Sequence, residues 1–351
     1  MNTEWLTDRI TLPDNNVKQA AQARQLQLTK PPGSLGKLEE IAVRLAAMQG
    51  TQDIALDKVH MVVFAGDHGI AAAGVSAFPQ AVTTEMVKNF ARGGAAISVM
   101  AAQLNAALEV VDVGSVTPAG DLPGVVDARV AAGTANFAEQ AAMDHTQLAS
   151  ALNTGRVAVE RAIEKGMQLF IGGDMGIANT SAATAIACAL LNKPAVELTG
   201  PGTGLDSDGV THKAQVIQSA LDKHQAAMHN KPLEVLRHVG GFEIAALCGA
   251  YLACAQRGIP FVVDGFIATS AALVAVRLQT DVKAWLFMAH RSAEPGHRAM
   301  VEAIGMEPLL DMGMRLGEGS GAALAVPILQ MAAATHSKMA TFAEAGVSEQ
   351  A

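Results

Sequence analysis

From about residue 60 onward, short, mostly apolar runs that end in small or acidic residues alternate with longer stretches in which apolar positions return every three or four residues. The runs are Met61–Ala65, Leu108–Val113, Leu169–Ile171, Phe261–Val263 and Ala284–Met288. Runs of this length without polar alternation predict strands buried on both faces. The stretches between them, including Val82–Leu104, Arg156–Lys165, Ser181–Leu191, Lys213–Ala227, Glu243–Ala255 and Ala268–Leu278, predict helices. Strand and helix in alternation predict an α/β fold, a parallel sheet covered by helices on both sides. Ahead of this region, Val17–Leu28 and Ile41–Met48 predict two peripheral helices around a stiff turn, Lys30-Pro31-Pro32-Gly33-Ser34-Leu35-Gly36. After about residue 307 the pattern is helical again and rich in Ala and Met.

The chain has 351 residues, half of them apolar, enough for a sizeable core. Its net charge of −8, with scattered Lys and Arg and only 4% aromatic residues, excludes a nucleic-acid binder, which needs clustered cations or stacking platforms. Three cysteines, Cys188, Cys248 and Cys254, are too few for a disulfide scaffold, and the odd count fits a reducing cytoplasm. The start, Met1 to Trp5, shows no signal-peptide pattern. The apolar stretch Gly321–Ala334 contains Pro327 and Gln330 and falls short of the roughly 18–20 apolar residues of a membrane span. A cytoplasmic protein is expected.

The strand endings carry the chemistry. They read Gly66-Asp67-His68-Gly69, Asp112-Val113-Gly114, Gly172-Gly173-Asp174-Met175-Gly176 and Asp264-Gly265. In open parallel sheets ligands bind outside the carboxyl ends of the strands. Gly and Asp also serve as ordinary turn and cap residues, so a single ending means little, but four alike favour a site. The Gly172–Ser181 segment follows a strand and opens a helix, a setting that suits an anion such as phosphate. It is neither a Walker A loop nor a dinucleotide fingerprint. Its plainer reading is a helix start capped by Asn179 or Thr180. A second Gly-rich segment, Thr199 to Asp206, precedes His212 and Lys213. Lys213 at a helix start opposes the helix dipole, which an anionic ligand would explain; otherwise it is a solvated surface lysine. In Arg315-Leu316-Gly317-Glu318-Gly319-Ser320-Gly321 a carboxylate stands between glycines, open to close approach. Apolar surroundings would raise its proton affinity into the range of a general base; the alternative is an exposed Glu in a flexible turn. His68/Asp67 and His290/His297 lack metal-site spacing, and no metal is expected.

Lys30–Gly36, Ala65-Gly66-Asp67-His68-Gly69, Pro79-Gln80, Gly173-Asp174-Met175-Gly176-Ile177-Ala178-Asn179-Thr180 and Leu316–Gly321 occur in this order. The set resembles the nicotinate-nucleotide–dimethylbenzimidazole phosphoribosyltransferase family over nearly the whole chain. The resemblance implies a Rossmann-like large domain at 56–306, a small helical domain built from 1–55 and 307–351, and a homodimer. It implies transfer of the phosphoribosyl group of nicotinate mononucleotide to 5,6-dimethylbenzimidazole, without a cofactor, and Glu318 as general base. Many members carry Glu where this chain has Asp174. The expected substrate contacts are Asp174, Met175, Gly176, Asn179, Thr180, Gly202, Thr203, Lys213, Pro79, Gln80 and Leu316. Met175, Leu316 and the surroundings of Phe78 are expected to form a slot for the flat base. The competing readings are a related glycosyl-transfer enzyme with another azole or purine acceptor, and a non-catalytic nucleotide-binding protein.

Overall fold

The computed structural model describes residues 3–348. Met1, Asn2 and 349–351, assigned above to the ends of the helical domain, lie outside the described residues. Seven strands form one sheet: β1 (Val59–Gly66), β2 (Ala107–Gly114), β3 (Val125–Asp127), β4 (Leu169–Met175), β5 (Phe261–Val263), β6 (Leu286–His290) and β7 (Pro308–Leu310). Their order is β3-β2-β1-β4-β5-β6-β7, and every pairing is parallel. The chain winds outward from β1 to β3, then returns to set β4 against the other side of β1. This reversal leaves a crevice above the carboxyl ends of β1 and β4, where open α/β sheets place their ligands.

Successive residues of β4 show the two covered faces. A side chain on Gly172 would meet Leu247 and Tyr251 of the Phe242–Gln256 helix, whereas one on Gly173 would meet Glu318 and Gly319. Adjacent strand residues point to opposite faces, so these two elements cover the sheet from opposite sides. On the first side, the Phe242–Gln256 and His145–Glu164 helices cross at Gly155 and Gly249. A Cβ at either would stand 1.8 or 2.0 Å from a backbone carbonyl of the other helix, so the crossing needs glycine. On the other side, the Ser320–Lys338 helix lies on β4, β5 and β6 and packs against the Lys37–Gln49 helix. The two chain ends meet there: Arg24 Nε donates to the His336 carbonyl, and Leu28 bridges to Thr341.

Three expectations need correction. Val82–Leu104 is not one helix: it breaks at Gly93 (φ +80°) and Gly94 into Ala81–Ala91 and Ala96–Gln103. The run at Ala284 becomes a strand only at Leu286, because Thr280–Trp285 forms 3-10 turns. Residues after 307 are not helical throughout, since Pro308–Leu310 joins the sheet as its edge strand. Strands β3 and β7 have three residues each and are only half-buried, so they leave no apolar run to read.

Candidate active site

The C-terminal end of β4 opens into a cavity of about 360 Å³. Phe78, Val82, Met86, Met175 and Leu316 give it an apolar wall, and Asp174 and Glu318 stand at its base.

Glu318 is placed by backbone geometry. Gly317, Glu318 and Gly319 have φ of +85°, +65° and +90°, a run of three left-handed residues. That conformation is strained for Glu and nearly free for its glycine neighbours. The flanking glycines therefore serve the turn more than they clear space around the carboxylate. The turn presses against β4, with the Glu318 amide donating to the Asp174 carbonyl at 3.3 Å. Asp264, at the end of β5, accepts from the amides of Gly319 (3.2 Å) and Ala322 (2.8 Å) and so caps the Ser320–Lys338 helix from outside it. Glu318 is only 6% exposed, which excludes the exposed-turn reading. Its Oε2 accepts from the Ile97 amide at 3.2 Å, at the start of the Ala96–Gln103 helix. Burial raises its proton affinity above the usual carboxylate range, the Ile97 and Ala96 amides oppose that, and Asp264 adds to it.

Asp174 is buried beside it. Burial, together with the charges of Asp264, Glu243 and Glu318, holds its carboxyl well above the usual range, against the pull of a 3.1 Å hydrogen bond from Asn179 Nδ2. Asn179 is thus committed to Asp174 and does not cap the helix. The N-cap position is Ala178, in the left-handed region, without a side-chain cap bond. Behind Gly176 lies a buried pair, His68 Nε2 and Glu243 Oε1, 2.6 Å apart. His290 lines the cavity, its Nε2 3.8 Å from Asp264 Oδ1.

The polar end is built from the Gly200–Gly204 loop. Lys213 is 1% exposed, so it is not a solvated surface lysine. Nor does it start a helix: the helix begins at Ser207, capped by Asp206, and Lys213 lies in its second turn. Its Nζ donates to Thr180 Oγ1 (2.7 Å) and to the Gly200 carbonyl (3.3 Å). Burial pulls its pKa down to about 8, against the charge of Glu294. Glu294 Oε1 accepts from the Gly202 amide at 3.1 Å, and Arg315 Nη1 donates to the Gly202 carbonyl at 2.9 Å.

Of the expected contacts, Asp174, Met175, Gly176, Asn179, Thr180, Gly202, Thr203, Leu316 and Glu318 all line this one cavity. Lys213 reaches it from behind, through Thr180 and Gly200. Pro79 and Gln80 are not in its wall; Gln80 Nε2 instead donates to the His68 carbonyl at 2.9 Å. Glu294, Arg315, His290 and Asp264 also build the site. Asp264 and Arg315 sit within recognised segments, whereas nothing local in the sequence marks Glu294.

A Rossmann-ordered sheet, a glycine-rich polar end with a buried lysine and a buried carboxylate facing an apolar slot are the parts that a group-transfer enzyme needs. A family pattern described as phosphoribosyltransferase matches residues 10–347. The chain is 58% identical to a nicotinate-nucleotide–dimethylbenzimidazole phosphoribosyltransferase of Pseudomonas putida (strain W619), over 100% of this chain and 99% of that one. A Pseudomonas aeruginosa protein of the same name is 57% identical with the same coverage. A crystal structure of the Thermus thermophilus protein superposes with a TM-score of 0.90 at 46% identity, over 96% of this chain and 100% of that chain. The chain belongs to the nicotinate-nucleotide–dimethylbenzimidazole phosphoribosyltransferase family.

Proposed function

We propose that the chain moves the 5-phosphoribosyl group of nicotinate mononucleotide onto 5,6-dimethylbenzimidazole, giving α-ribazole 5′-phosphate and nicotinate for cobalamin biosynthesis. The observation that carries this reading is the buried Glu318 carboxylate at the base of an apolar slot, next to a polar end suited to phosphate. The flat acceptor packs between the half-buried Met175 and the exposed Phe78 and Leu316. Its ring N–H points to Glu318. The lone pair of the other ring nitrogen forms the bond to C1′ of the ribose. The bond from C1′ to the nicotinate nitrogen breaks, and its electron pair neutralises that nitrogen's positive charge, so the leaving group needs no acid. The acceptor's proton passes to Glu318 and then to solvent. Asp174 lies where a ribose hydroxyl can donate to it. The phosphate sits against the Gly202 loop, Thr180 and Lys213.

Mass spectrometry of products from the mononucleotide and the benzimidazole tests the reading. The expected result is α-ribazole phosphate from the wild-type chain. Glu318→Gln keeps the Ile97 hydrogen bond but cannot take the proton, so kcat should fall about 10²–10⁴-fold, or about 2.7–5.5 kcal/mol. Wild-type activity should decline as pH falls through the raised Glu318 value, and that acid limb should be missing in the variant. Mononucleotide binding without product in the wild type would leave a binding protein instead. The same reading makes the chain a cytoplasmic homodimer. The buried, unpaired Cys188, Cys248 and Cys254 support the compartment. Light scattering at twice the 36.2 kDa chain mass tests the assembly. Among the described residues no helix is long and apolar enough to cross a membrane.

A further inference from the structure

Glu294 is oddly employed. It is the N-cap residue of the Pro295–Ile304 helix yet gives that helix no side-chain hydrogen bond. Its carboxylate turns instead beneath the Gly200–Gly202 loop. Oε1 accepts from the Gly202 amide at 3.1 Å. Oε2 lies 2.1 Å from where a Cβ on Gly200 would stand, and it is buried without a partner. Lys213 Nζ lies against the same loop, 3.2 Å from where a Cβ on Gly202 would stand. Arg315 holds the loop from the far side through the Gly202 carbonyl. A backbone amide, a buried lysine and an arginine around one small loop are the donors that a phosphate monoester takes. Here a carboxylate sits among them.

We propose that Glu294 stands in for the substrate's phosphate: its carboxylate accepts from the Gly202 amide within the field of Lys213 and Arg315, and it yields that amide to an arriving phosphate. This rests on the mononucleotide reading above and adds the way its phosphate is admitted. The charge balance requires a consequence. Lys213 and Arg315 supply two positive charges, Glu294 one negative, and a phosphate monoester close to two more. With Glu294 ionised the occupied site carries one excess negative charge beside the buried Glu294 and Lys213; with Glu294 protonated it is balanced. Phosphate binding should therefore bring a proton onto Glu294. Burial already favours that proton, with Lys213, the Gly202 amide and Arg315 opposing it. Those are the charges acting on it from the facing helix, loop and segment. On its own helix, His297 Nδ1 is occupied by the Ser292 amide, and His290 is turned to Asp264.

Calorimetric titration with nicotinate mononucleotide at pH 7.0, in two buffers of different ionisation enthalpy, counts the proton. Lys213, with its pKa near 8, is about nine-tenths charged at that pH and gains about a tenth of a proton on binding. The phosphate, with its second pKa near 6, loses about as much, so the two cancel. The expected result is uptake larger by about half a proton or more in the wild type than in Glu294→Gln, and tighter mononucleotide binding by the variant. Equal uptake in the two overturns the proposal and leaves the transferase reading standing. Failure of the wild type to bind the mononucleotide overturns both. Melting curves check that the variant folds. If it does not, the wild-type pH profile decides: log Kd should climb by about 0.5–1 between pH 6.5 and 7.5, and a flat profile overturns the proposal.

Discussion

Gly173→Ala is the sharpest test of how the site is built. The substitution adds one methyl group in β4, where backbone dihedrals pose no obstacle. The added Cβ would stand 2.1 Å from the Glu318 carbonyl oxygen, 2.5 Å from its carbonyl carbon and 2.9 Å from the Gly319 nitrogen. Ordinary contact begins near 3.4 Å, so the nearest atom must retreat by 3.4 − 2.1 = 1.3 Å. Every atom met is backbone, and Asp264 pins that segment through Gly319 and Ala322, so no side chain can rotate aside. Overpacking of this kind costs about 1–3 kcal/mol of stability. The displacement also carries the Glu318 carboxylate away from the acceptor's N–H, and a shift of about 1 Å can cost on the order of 10²-fold in rate. Steady-state kinetics should show kcat down by about that factor, with KM for the mononucleotide little changed. Gly172→Ala is the control: its Cβ meets the Leu247 and Tyr251 side chains on the opposite face, so it should lower the melting temperature without moving Glu318. A folded Gly173→Ala chain with wild-type kcat would refute the idea that the β4 contact positions the base.

Lys213→Met keeps the length of the side chain and removes the charge. It should raise KM for the mononucleotide by an amount worth about 1.5–3 kcal/mol, and wild-type affinity should itself weaken as pH rises past about 8, where Lys213 loses its proton. Asp174 holds its proton well above the 3.8 of an ordinary Asp, so from there upward the folded chain binds more protons than the unfolded one and loses stability as pH rises. Asn cannot titrate, so thermal melts of Asp174→Asn should gain on wild type between about pH 4 and neutrality; a constant gap would show that the carboxyl ionises normally in the fold.

The five internal apolar runs all fall in strands, the last of them only from Leu286 onward, because a strand buried on both faces is built mostly from hydrophobic residues. β3 and β7 escape this logic as short, half-buried edge strands. The break at Gly93-Gly94 was readable in principle, since paired glycines punctuate helices, but the apolar rhythm on either side masks it. That break matters, because it creates the second helix start, whose Ile97 amide holds Glu318.

Sequence alone determined the α/β class and the segments that meet at the cavity, because strand burial and glycine-rich strand endings are local patterns. It also placed Glu318 between glycines, but the glycines have separate tasks that only the packed chain assigns. Gly317 and Gly319 carry the left-handed turn, while Gly321 leaves room for His290, whose Cδ2 would lie 2.0 Å from a Cβ there. Whether Lys213 was a surface charge or a buried one was undecidable from its neighbours, because burial depends on the Gly200 loop folding over it. Glu294 had no local signature at all. Its role arises because β6 ends beside a loop some 90 residues earlier in the chain. Proton affinities follow the same rule. A carboxylate's charge is written in the sequence, but its desolvation and its charged neighbours, here Asp264 and Glu243 around Asp174, exist only once the sheet has brought distant strand ends together.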